Sequence, residues 1–147
     1  MKRLFLLLIL VIPSYVFGGG HKNAEYRITR EELQDVVLEV LLPGERLYDF
    51  IGMKSDVYLD FNYRFPITED LSLYQILRDH GAYPKYYRFY FYSEEDGFKP
   101  IHFAYPIVKD ESSELHGIET VHTLMNAHYS PDTKIISANA WCCWGAV

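Results

Sequence analysis

Cys142 and Cys143 stand side by side between Trp141 and Trp144, and they are the two thiols in a chain of 147 residues. In an oxidising compartment thiols tend to pair, but neighbouring cysteines close only a strained ring that is comparatively easy to reduce. A vicinal disulfide, bonds to other chains and a soft-metal site all remain open on this spacing. It is neither a redox CxxC nor one of the usual zinc patterns, since two thiolates without a second pair leave such a site incomplete. A structural or simply oxidised tail is the plainer reading.

Six histidines are the next candidates: His21, His80, His102, His116, His122 and His128. The last three recur every six residues, which at about 100° per residue turns them to different sides of a helix. On such a helix His128 falls in line with Ile118, Val121 and Met125, the position of a half-buried core histidine rather than a ligand. His21 can hold copper or nickel weakly beside a new N-terminus. No resident metal or other cofactor is expected from these spacings.

The chain carries no GxSxG, HExxH, GxxxxGK[ST] or GxGxxG. Its carboxylate clusters, Glu31-Glu32, Glu94-Glu95-Asp96 and Asp110-Glu111, fall where helices start or turns form, positions that favour solvated charge. Asp60 and His102 on neighbouring strands would make an acid/base pair only if both faced outward. A non-enzymatic role is the expectation.

Tyrosine and arginine remain, and their placement depends on the elements that carry them. Thr29, three positions before Glu32, is a capping-box pattern, and Leu33, Val36, Val37, Val40 and Leu41 recur at helical spacing until Pro43-Gly44. A helix over 30–42 follows. Val57, Leu59, Phe61, Tyr63 and Phe65 alternate with polar neighbours, the pattern of a strand, which Pro66 ends. Leu71, Leu73, Tyr74, Ile76 and Leu77 form an apolar stripe that predicts a second helix, capped by Thr68 or Asp70. Tyr86 to Tyr92 is aromatic and suits a strand. Asp96-Gly97 then turns it into a hairpin with a returning strand, 98–108, that Pro100 and Pro106 interrupt. A third helical pattern runs from Ile118 to His128 until Ser130-Pro131-Asp132 breaks it, and 133–141 is the last strand candidate.

After the first helix this order is βαββαβ, the split arrangement of ferredoxin-like folds. It predicts an α+β domain with an antiparallel sheet and helices on one face. The opposite face would meet water or a partner. Alternation assigns Tyr58, Asp60, Asn62 and Arg64 of the first strand to that open face, with Tyr86, Arg88, Tyr90 and Tyr92 of the second and His102 of the third. Tyrosine offers wide contact area at low entropic cost, and arginine clamps carboxylates or stacks on rings. Replacing Arg88 and Tyr90 by Ala should then abolish binding and leave the melting transition nearly unmoved.

The first eighteen residues read as an address. Lys2 and Arg3 precede the apolar run 4–12, and Val16 and Gly18 have the spacing read by a signal peptidase. The run is too short to span a bilayer. Residues 19–147 form one exported domain, periplasmic or extracellular, with no stable membrane insertion once the leader is removed. Its removal leaves 12 basic against 20 acidic side chains, so the domain lacks the basic footprint of a nucleic-acid binder. The sequence therefore points to a small binding protein of the cell envelope that contacts a protein or envelope component through the Tyr/Arg face. Its rival is a thiol- or metal-dependent envelope protein working through Cys142 and Cys143.

Overall fold

The computed structural model describes residues 23–50, 61–78, 85–108 and 115–138. A single-turn 3-10 segment, Ala24–Tyr26, leads into α1, Arg30–Val40. The Thr29 hydroxyl accepts a hydrogen bond from the Glu32 backbone N–H at 3.1 Å, satisfying one of the free donors at the helix start. Leu33, Val36 and Val37 bury one stripe of α1. Among the described residues the named elements that follow are strands, apart from a 3-10 turn at Leu47–Asp49. The strands are β1 Tyr63–Pro66, β2 Ser72–Leu77, β3 Tyr86–Ser93, β4 Gly97–Pro100, β5 Phe103–Val108, β6 Leu115–Val121, β7 Thr123–Met125, β8 His128–Ser130 and β9 Ile135–Ser137.

The main sheet has five antiparallel strands in the order β1-β2-β3-β4, with β7 also paired to β3. β4 and β7 share one edge of β3: β4 pairs with Tyr90–Ser93 and β7 with Tyr86–Arg88. Between these two short edge strands the chain leaves the sheet at Ile101-His102, forms the β5-β6 pair, and returns at His122. β8 and β9 make a third, two-stranded sheet.

The predicted ferredoxin-like α+β order is therefore overturned: among the described residues α1 is the sole α-helix and the remainder is mostly antiparallel sheet. Residues 72–77 form the strand β2, with all six residues buried. A strand covered on both faces reads as a continuous apolar run, and over six residues such a run also satisfies helical spacing. Hydrogen bonds from the Ile67 and Thr68 N–H groups to the Leu71 carbonyl close the loop before it, so Thr68 and Asp70 shape a hairpin instead of capping a helix. The helix expected over 118–128 is likewise replaced by parts of β6, β7 and β8. Asn126, at φ 47°, makes the left-handed bend between the last two. The predicted 98–108 strand divides at Ile101-His102 into β4 and β5, which belong to different sheets.

Several expectations stand. α1 ends two residues before the predicted limit, β3 matches its aromatic run, and Gly97 at φ +67° closes the β3-β4 hairpin as the Asp96-Gly97 signal implied. Tyr63 and Phe65 point inward and Arg64 outward, as the alternation required. The leader, the 57–60 half of the first strand and the tail beyond residue 138 lie outside the described residues.

Both faces of the main sheet are covered. Phe65, Leu73, Leu77, Tyr87, Phe89 and Leu124 bury one face against Phe103, Tyr129 and Ile136 of β5, β8 and β9. Tyr74, Ile76 and Tyr90 on the other face pack against Ile28, Leu33, Val36, Val37 and Phe50. Each such side chain taken from water contributes about 1.5–3 kcal/mol. Three amide side chains complete ladders that the backbone leaves open. Buried Gln75 donates to the Ala127 carbonyl and accepts from the Tyr129 N–H, tying β2 to β8, while Asn62 accepts from the Leu77 N–H and Asn126 from the Lys85 N–H.

Candidate functional site

The division of side chains between the sheet faces follows the predicted parity, but the face expected to lie open is roofed by α1. Register places Arg64, Tyr74, Tyr90 and Pro100 in one row across the strands, and this row belongs to the side on which α1 packs. Tyr90 is 4% exposed and Arg88 6%. Changing both to Ala would empty part of the core, so the expectation of an unmoved melting transition is corrected.

The predicted contact residues consequently separate. Tyr58 and Asp60 lie outside the described residues, as do Cys142 and Cys143. Asn62 is buried and its carboxamide oxygen is committed to the sheet ladder. Arg64 is exposed on β1, where its Nε donates to the Ser72 hydroxyl, its guanidinium lies over the Tyr74 ring, and its Nη1 sits 3.5 Å from Glu32. The Tyr74 hydroxyl donates to the same Glu32 carboxylate at 3.0 Å. Tyr86 is half-buried, and Tyr92 lies against Phe98 at 4.6 Å between centroids. Arg88, Tyr90 and His102 do converge, on a cavity of about 380 Å³ between the end of α1, β3, β4 and the neck of the β5-β6 hairpin.

That cavity depends on Glu45, which no local sequence pattern marks. Pro43 and Gly44, with Gly44 at φ +86°, form a tight turn in which the Glu45 N–H donates to the Leu42 carbonyl at 3.0 Å. The turn folds the Glu45 carboxylate back beneath α1, where it accepts from the Leu42 N–H at 3.3 Å. Arg88 Nη1 donates to both Glu45 oxygens, at 2.8 and 3.0 Å, and Arg78 Nε lies 3.5 Å away. Both guanidinium groups sit over the buried Phe50 ring, at 5.6 and 5.9 Å. Arg88 Nε also donates to Thr123 Oγ1, linking β3 to β7. With its charge paired in this way, Arg88 acts as a strut of the cavity wall.

Val40, Leu41, Leu42, Phe98 and Pro100 supply apolar wall, while Glu39, His102 and His122 add polar groups. The two imidazoles face each other across the hairpin neck, ring centroids 6.3 Å apart. They are opposed because β5 and β6 pair in the register Phe103 with Val121, which sets residues 102 and 122 opposite one step further along. Burial, with Arg88 and His102 nearby, holds the His122 imidazole below the usual histidine range, and Glu45 opposes this. Burial pushes the Tyr90 phenol above its usual range against the pull of Arg88.

The pairing of His102 with His122 is hidden in the sequence because His122 falls within a helical pattern. Of the remaining histidines, His116 is on β6 and His128 is on β8, while His21 and His80 lie outside the described residues. Among the described residues no group of three or more His, Cys, Asp or Glu side chains is arranged to hold a metal ion. No protein-family model, no curated protein and no solved structure matches this chain.

Proposed function

We propose that this chain is a small exported binding protein of the cell envelope that seats an apolar group of a protein or envelope component in the cavity beside His102 and His122. The observation that carries the reading is the cavity itself. Its volume of about 380 Å³ falls within the roughly 300–1,000 Å³ typical of ligand sites, and its lining is mainly apolar with a few polar groups placed to orient an occupant. Leu42, on its rim, is 46% exposed, more than burial in the protein's own core would leave it. Export rests on the charged, apolar and small-residue order of the first eighteen residues. Of the predicted Tyr/Arg face, the part around Arg88, Tyr90 and His102 is retained in the proposal, as cavity lining.

The test compares two exposed leucines, Leu38 on α1 and Leu42 two residues beyond its end. Leu42 lines the cavity, whereas Leu38, 60% exposed, does not. Photo-crosslinking from the cavity rim in envelope extracts should yield one dominant adduct, reduced at least tenfold by Leu42→Asp and unchanged by Leu38→Asp. Urea midpoints for both variants should remain near that of the parent. Equal capture by the parent and Leu42→Asp would refute the assignment.

A further inference from the structure

We propose that His102 and His122 form a two-imidazole site for a borderline divalent transition metal, copper(II) or zinc(II), at the neck of the β5-β6 hairpin. Two linked structural features support it. The antiparallel register sets the residues directly opposite each other, and the two rings lie edge to face with centroids 6.3 Å apart. An imidazole nitrogen binds such an ion at about 2.0–2.1 Å and lies about 1.1 Å from its ring centre, so two rings on one ion have centres about 4.5 Å apart at a right angle, about 5.2 Å at the tetrahedral angle and about 6.4 Å in line. The observed 6.3 Å is close to the in-line limit, so a tetrahedral ion requires side-chain rotations that draw the rings about 1 Å closer. Imidazole pairs favour copper, zinc and nickel over magnesium or calcium, with copper(II) bound most tightly.

The surroundings accommodate added positive charge better than a guanidinium in the wall suggests. Arg88 is paired with Glu45 through two hydrogen bonds, a carboxylate it shares with Arg78, and Glu39 belongs to the lining of the same cavity. The whole chain carries a formal charge of -6. With no third His, Cys, Asp or Glu grouped with the pair among the described residues, the ion would keep at least two coordination positions for water or for a donor from another molecule. This marks an exchangeable site, distinct from the closed four-ligand sites that hold structural zinc. The inference does not depend on the cavity having a partner, because it concerns the free protein.

The test is a zinc chloride titration of the full chain at pH 7.5, followed through the imidazole nitrogen resonances. His102 and His122 should shift together and saturate with one ion per chain. In His122→Gln the His102 shift should require at least tenfold more zinc, and His102→Gln should have the reciprocal effect on His122. Urea midpoints check that both variants are folded, and the exposure of His102 makes His102→Gln the safer of the two. Copper(II) should broaden the same pair first. The proposal is overturned if zinc acts only at other histidines or at the thiols, or if His102 responds equally in the parent and in His122→Gln.

Discussion

Glu45→Gln removes the negative charge from a carboxylate whose side chain is 9% exposed and leaves the Arg88 guanidinium, 8% exposed, without its counter-ion. Gln can still accept one hydrogen bond from Arg88, but the second oxygen is replaced by an NH2 group whose hydrogens face a cation. At an effective dielectric of about 20, unit charges about 3 Å apart attract by roughly 5–6 kcal/mol, before the desolvation that offsets part of it. Breaking a buried pair by removing one member costs about 3–5 kcal/mol. Because Gln retains one acceptor and the Phe50 ring still underlies Arg88, the lower end, about 3 kcal/mol, is expected. With a urea slope of about 1.5–2 kcal/mol per molar, the midpoint should fall by about 1.5–2 M with the slope unchanged. The double variant Glu45→Leu with Arg88→Met should recover at least half of that loss, since neither charge remains buried. A drop below about 1 kcal/mol for Glu45→Gln would show that water reaches the pair. It would also remove the rigid wall on which the cavity depends.

Gln75→Leu should cost about 2–4 kcal/mol in urea unfolding, because it orphans the buried Ala127 carbonyl and Tyr129 N–H; a loss no larger than that of an exposed substitution would contradict the ladder role. Thr29→Ala should cost about 1 kcal/mol and Thr29→Ser much less, as read from urea midpoints, since only the former loses the helix cap. Burial raises the phenols of Tyr74, Tyr87 and Tyr90 above the unfolded value of about 10, so their contribution to stability is complete below that pH and is lost as pH rises through the range above it. Phenolate absorbance should accordingly report fewer than the 13 tyrosines while the far-ultraviolet signal is native, with the remainder appearing on unfolding. Full titration near pH 10 with native secondary structure would refute this.

Local chemistry explains where the sequence was readable. The Thr29 cap, the 33-36-37-40 stripe and the Pro43-Gly44 stop act within a few residues, and α1 forms where they place it. Asp96-Gly97 forces the β3-β4 hairpin for the same reason, through a backbone conformation that glycine adopts freely. In β1, alternation correctly separated Tyr63 and Phe65 from Arg64. In β2 that signal disappeared, since burial on both faces removes the polar half of the pattern and leaves a run compatible with either helix or strand.

The candidate site was legible in its strand residues and illegible in its partners. Arg88, Tyr90 and His102 could be named from strand parity. Their surroundings could not, because Glu45 reaches Arg88 across 43 positions in the chain, and His122 meets His102 only once β5 and β6 are in register. The sequence by itself determined the capped helix, the aromatic strand with its hairpin turn, and the two-faced character of β1, all consequences of short-range sterics and hydrogen bonding. Tertiary structure alone decided that α1 roofs the Tyr/Arg face, that Arg88 is buried against Glu45, and that two histidines meet at a hairpin neck. These depend on which apolar surfaces find each other, a contest among distant segments that no local pattern encodes.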